Sequence, residues 1–171
     1  KGQILICGMG LIQSAISFTA YCEKFIEADD EVINLGIAGA LDDSLDLYQL
    51  YHVNSCELYD SHLAAHPTED RKIFDLAYPK LEQSTNISSK SITLVSSPHP
   101  IWHSNDLELL GHEYALVDME AYALLQVAKT YSINLKIIKS VSDYAHKVNQ
   151  ETFIAHAKIA IDSLLNYIEN T

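Results

Sequence analysis

Two short segments in the second half of the chain carry the residue types for acid–base chemistry. Val117-Asp118-Met119-Glu120-Ala121 lies where an apolar run gives way to a helical pattern, and Ser140-Val141-Ser142-Asp143 ends the next apolar run. This arrangement brings Glu120 and Asp143 to the carboxyl edges of neighbouring strands, where α/β proteins place their ligands. Two carboxylates so placed are candidates for a chemical role. Each residue also has a plainer reading. Glu120 enters the first turn of a helix, where the helix dipole favours a carboxylate, and Asp143 suits an N-cap or a turn.

Other constellations are weaker. Gly8-Met9-Gly10 follows an apolar run and precedes a helix, as in dinucleotide-binding turns, but Gln13 and Ser14 stand near the place of the third glycine. The next strand ends in Ile37-Ala38-Gly39 instead of an acid for ribose. A tight strand-to-helix turn, or a loop lining a nucleoside pocket, explains these glycines equally well. His62/His66 and His99/His103 have metal-ligand spacing, yet Pro67 and Pro100 argue against helices there and no HExxH context exists. No metal or cofactor is expected. Residues 96–104 hold two prolines, two histidines and the single tryptophan directly after a strand. They read either as a site wall or as a turn whose Trp102 fills a core edge.

The elements that must position these residues alternate between short β-rich runs and helical stripes, the mark of an α/β domain with a mostly parallel sheet. Strands are expected at 3–7, 31–37, 50–58, 91–96, 114–117 and 135–141. One helix presents Leu11, Ile12, Ala15, Ile16, Cys22 and Phe25, and a second Ala121, Leu124, Leu125, Ala128 and Tyr131. A closing helix carries Phe153, Ile154, Ala157, Ile161, Leu164, Leu165 and Ile168, with Asn149 as its expected N-cap. Residues 60–69 and 83–90 read as polar surface loops.

The 171 residues suffice for one domain with a sizeable core. They hold 23 acidic against 11 basic residues, a formal charge of −12, and Arg71 is the lone arginine. That balance argues against nucleic-acid or anionic-membrane partners, which need clustered cations, and against an arginine fork for phosphate. With 48% hydrophobic residues, no apolar run long enough for a bilayer and three unpatterned cysteines, the chain reads as a soluble protein of a reducing cytoplasm.

Taken together, four segments resemble the purine nucleoside phosphorylase and nucleosidase superfamily. Residues 117–121 resemble its V-E-M-E-A signature, Val141-Ser142-Asp143 its I-S-D motif, Cys7-Gly8-Met9-Gly10 its S-G-I-G turn, and residues 34–41 its N-T-G-S-A-G-G-L loop. Within the superfamily the chain is most similar to 5′-methylthioadenosine/S-adenosylhomocysteine nucleosidases and to the futalosine hydrolases of menaquinone synthesis. The resemblance implies a single α/β domain over residues 1–171, with a mixed central sheet flanked by helices and lacking the family's N-terminal strand.

It also implies hydrolysis of a purine N-ribosidic bond. Asp143 would be the general acid and Glu120 the acceptor for the ribose hydroxyls, with Met119 as the floor under the sugar. Asp118, Ser142, Ile101, Pro100, Met9, Ile37, Ala38 and Gly39 would line the substrate. Lys139 would stand near the nucleophilic water, where the family has an arginine. The superfamily's phosphorylases place an arginine just before the glycine loop, but Asn34 and Leu35 stand here, so water is the expected nucleophile. The family's general-base glutamate has no match in this chain. Ile37 replaces a serine, and residues 98–101 replace a stretch that carries an adenine-stacking phenylalanine. These changes favour 6-amino-6-deoxyfutalosine over methylthioadenosine or S-adenosylhomocysteine. A homodimer is implied, and the alternatives are an inactive nucleoside-binding homologue or a futalosine hydrolase that releases hypoxanthine.

Overall fold

A computed structural model describes residues 2–27, 30–59, 87–101, 114–145, 147 and 150–170. Helix α1 (Leu11–Phe25) is followed by strands β1 (Val32–Ala40), β2 (Leu50–Leu58), β3 (Ile87–Ser96) and β4 (Leu116–Asp118). Helix α2 (Ala121–Thr130), strand β5 (Leu135–Tyr144) and helix α3 (Gln150–Glu169) complete the order. The chain is a single α/β domain with a central mixed sheet flanked by helices. Its strands close on themselves in the order β1-β4-β3-β2-β5. β1 runs parallel to β5 and β3 parallel to both β2 and β4, while β1–β4 and β2–β5 are antiparallel.

β1 divides its side chains by the two-residue period of a strand. Ile33, Leu35 and Ile37 pack towards α3 with Leu50, Ile138, Leu164 and Tyr167. Ala38 and Ala40 join the larger core beneath α1 and α2, with Phe18, Cys22, Leu124, Leu125 and Val141. β5 is buried along nearly its whole length because helices cover both faces. Each fully buried Ile, Leu or Val of such a core contributes about 1.5–3 kcal/mol.

Several expectations change. Residues 3–7 form no strand among the described residues: Leu5 and Cys7 pack on the core, while Ile4 and Ile6 are 80% and 88% exposed with no neighbouring ladder. On α1 the buried face is Ser14, Phe18 and Cys22, and Ile12, Ile16 and Phe25 face outwards. On α3 the inward row is Ala160, Leu164 and Tyr167, leaving Ile154, Ile161, Leu165 and Ile168 exposed. Both helices offer more than one apolar stripe, and the packing selects one. β1 reaches Ala40 and β5 reaches Tyr144, three residues beyond the expected ends, which carries the ladder up to Asp143. The loop expected at 83–90 is overturned at 87–90, where β3 already pairs with Leu50 and Tyr51 of β2 and so starts four residues before the expected Ser91; residues 60–69 and 83–86, both members of the His62/His66 pair, Arg71, Trp102, His103 and Asn149 lie outside the described residues.

Candidate active site

The end of β1 is the centre of the site. Gly39 pairs with Asp143 of β5 on one side and with Val117 of β4 on the other. A register shift between Ala38 and Gly39 aligns Gly39 with Asp143 instead of Ser142. The absent side chain matters here. A Cβ on Gly39 would lie 3.2 Å from Asp143 Oδ1, 3.1 Å from the Ala145 Cβ and 3.4 Å from Val117 Cγ1. Glycine therefore lets Asp143 settle directly over the strand.

Asp143 is 6% exposed. Its Oδ2 lies 2.6 Å from the Ser142 hydroxyl, which is also 3.3 Å from the Ala38 carbonyl oxygen. This geometry serves either charge state. An ionised Asp143 accepts from Ser142, and a protonated one donates to Ser142, which in turn donates to Ala38. Burial pushes the Asp143 pKa above the usual carboxylate range, partly offset by the Ser142 hydrogen bond and by the charge of His156.

Across Gly39, β4 ends at Asp118 and α2 begins at Ala121, so Met119 and Glu120 form the corner. Glu120 is the N-cap residue by backbone position, but its side chain does not cap the helix. It turns to the first glycine turn, where the Gly10 amide donates to Oε1 at 2.7 Å. Gly10 can aim its amide there because its φ is +85°, a conformation natural to glycine. Burial raises the Glu120 pKa, and the Gly10 amide pulls against that shift. Cys7, half-buried in the same turn, has its thiol pKa raised by burial, with opposing influences from Lys139 and Glu120.

Asp118 caps the helix instead. Its Oδ2 accepts from the Ala121 amide at 3.0 Å and lies 2.8 Å from Lys139 Nζ, while its Oδ1 accepts from the Ser96 hydroxyl at 2.5 Å. Ser96 Oγ in turn accepts from the Tyr122 amide at 2.9 Å. Lys139 is 1% exposed and passes beside Gly36 of β1 to reach this pair. The network ties β5, β3 and the start of α2 together directly behind the corner that carries Glu120.

The structure thus gathers Ala38, Gly39, Asp118, Met119, Glu120, Lys139, Ser142 and Asp143 around the ends of β1, β4 and β5. Ile101 is buried beside them with Tyr59, Val95, Val117 and Ala145. Pro100 is exposed, and Met9 is 78% exposed. The Ile37 side chain packs towards α3, leaving its backbone next to Ala38 and Gly39. Sequence reasoning passed over Gly10 as a donor and Ser96 as a support. Gly10 stood inside a recognised glycine turn, whereas a lone serine at a strand end carries no distinguishing signal. Among the described residues no group of three or more His, Cys, Asp or Glu is placed to hold a metal, and no helix is long and apolar enough to cross a membrane.

The family model of the Phosphorylase superfamily matches residues 3–170. The chain belongs to the phosphorylase superfamily. Among curated superfamily members, a 5′-methylthioadenosine/S-adenosylhomocysteine nucleosidase of Staphylococcus aureus is 26% identical, over 90% of this chain and 74% of that protein. Solved superfamily structures share the fold. A nucleosidase of the same type from Neisseria meningitidis, in complex with methylthio-immucillin-A, superposes with a TM-score of 0.74 at 20% identity, covering 92% of this chain and 74% of its own. The futalosine hydrolase of Helicobacter pylori gives 0.71 at 18% identity, covering 96% and 78%.

Proposed function

We propose that this superfamily member hydrolyses the N-ribosidic bond of an adenine nucleoside and releases adenine. The observation that carries the reading is Asp143, buried over Gly39 with its pKa raised and a hydroxyl as its bonded partner. Protonated Asp143 donates its proton to purine N7 while its other oxygen accepts from the 6-amino group. The C1′–N9 bond then breaks towards a neutral base, leaving oxocarbenium character on the sugar. Water adds to C1′ and loses a proton, so the overall reaction conserves protons.

Ionised Glu120, aimed by the Gly10 amide, accepts from the ribose hydroxyls. Met119 lies under the sugar as a polarisable floor. Lys139, held by Asp118, contributes positive charge behind this corner. Because Arg71 is the sole arginine, water is favoured over phosphate as the nucleophile. The change at residues 98–101 favours 6-amino-6-deoxyfutalosine, with methylthioadenosine and S-adenosylhomocysteine as further substrates; Ile37, whose side chain packs towards α3, does not bear on that choice. The likeness to curated nucleosidases over most of the chain supports the same reaction class.

The test is incubation with each of these nucleosides and with futalosine, with and without phosphate, followed by chromatography of the free base. Phosphate-independent release of adenine is expected. Binding without release of any base would overturn the hydrolase reading in favour of a nucleoside-binding protein.

A further inference from the structure

Helix α2 is capped from outside its own sequence. Glu120 holds the N-cap position by backbone conformation, and its carbonyl accepts from the Leu124 amide at 3.1 Å. An N-cap side chain ordinarily accepts from the second or third amide of its helix, a duty suited to Ser, Thr, Asn and Asp. The Glu120 side chain makes no such bond. The second amide, that of Tyr122, donates instead to the hydroxyl oxygen of Ser96 at 2.9 Å, and Ser96 ends β3, 26 positions away in the chain. The first amide, that of Ala121, goes to Asp118 Oδ2 at 3.0 Å. Ser96 is fully buried, and its hydroxyl is fixed on several sides. With Tyr122 donating to the oxygen, its own proton goes to Asp118 Oδ1 at 2.5 Å, and Cys56 Sγ lies 3.7 Å away. The Glu120 carboxylate, relieved of capping, takes the Gly10 amide at 2.7 Å.

We propose that Ser96 is a positioning residue for the nucleoside site: by capping α2 in place of Glu120, it leaves the Glu120 carboxylate free to face the ribose hydroxyls. The proposal rests on the ribose-acceptor reading of Glu120. Two destinations compete for that carboxylate. One is the Gly10 amide across the corner, and the other is the Tyr122 amide two residues ahead, within reach of an N-cap side chain. Ser96 occupies the second. Without its oxygen the half-buried Tyr122 amide needs another acceptor, and the N-cap side chain is the group placed to supply one. The helix dipole also favours a carboxylate at this end, so the swing has a driving force. Turned onto its own helix, Glu120 leaves Gly10 and no longer presents both oxygens to the sugar.

The substitution S96A separates this role from a merely structural one, with methylthioadenosine and its 2′-deoxy counterpart compared by kcat and KM for adenine release. S96A should raise KM for the ribonucleoside about fivefold and change kcat by less than about twofold, because the lost contact serves ground state and transition state alike. Its preference for the ribonucleoside over the 2′-deoxy compound should fall towards that of E120Q. S96T, which keeps the oxygen, should restore the wild-type preference. An S96A protein with the wild-type preference would overturn the proposal, whatever its stability or kcat. Should S96A not fold, S96C, of similar size but a poorer acceptor, decides by the same ratio: a reduced preference supports the proposal and an unchanged one overturns it. If no base is released from any nucleoside, the hydrolase reading fails separately, and the Gly10 amide proton resonance of isotopically labelled protein reads the position of Glu120. Loss of the carboxylate partner moves that resonance upfield in the Ser96 variant; a resonance that stays at its wild-type position removes the proposal.

Discussion

Asp118 and Asp143 are buried to the same extent, each 6% exposed, and each stands at the end of a strand beside β1. Their partners separate them. Asp118 has a lysine ammonium, a serine hydroxyl and a helix amide, while Asp143 has the Ser142 hydroxyl and lies where burial raises its pKa. A carboxylate so surrounded by donors serves structure; one short of them is disposed to keep and deliver a proton. Equal burial therefore leaves a fully paired carboxylate in one place and, in the proposed mechanism, the acid in the other.

The same substitution at both positions should break this comparison apart. D143N removes the proton donor at nearly constant size, and kcat/KM for adenine release should fall about a thousandfold, in the range of general acid catalysis. Retention of near-full activity would remove Asp143 from the mechanism. D118N instead leaves the Lys139 charge buried without its counter-ion and should cost about 3–5 kcal/mol of folding free energy, read from urea unfolding. A loss below about 1 kcal/mol would mean that the Asp118 pairing does not support the fold.

G39A sharpens the contrast from a third side. Its methyl crowds Asp143 Oδ1 and Ala145, so kcat/KM should drop about tenfold, with a stability loss of about 1–3 kcal/mol. If activity and stability both stay at wild-type level, the close approach has no role in placing the acid.

The smallest effect concerns pH. An acid whose folded-state pKa is raised binds its proton more tightly when folded. Its stabilising contribution is complete below the unfolded pKa and is lost as pH rises through the folded value. D143N escapes that loss. It should melt higher than wild type at about pH 8 and lose the advantage near pH 4, as thermal scans at the two pH values will show.

Much of the site could be read from the chain because its markers are local. Glycine turns, an acidic pair at a strand-to-helix corner and a Ser-Asp strand end are short patterns that can be recognised without knowing the distant packing. Helix faces were harder. Ile12 and Ile16 on α1, and Ile154 and Leu165 on α3, are as apolar as the residues that are buried, so periodicity alone could not choose between stripes. The strand expected at residues 3–7 had the right composition, but a strand exists only through a neighbour's hydrogen bonds, and no such ladder forms there among the described residues.

By itself the sequence determined the α/β class, the approximate positions of most strands and helices, and which carboxylates were candidates for chemistry. Residue type and spacing specify these directly. Tertiary structure decided what each acid became. It closed the sheet so that β1 lies between β4 and β5, moved the register by one residue at Gly39, sent Lys139 to Asp118, and brought the Gly10 amide to Glu120. Those outcomes depend on partners far apart in the chain, and the charge state of a buried carboxyl group is set by its partners.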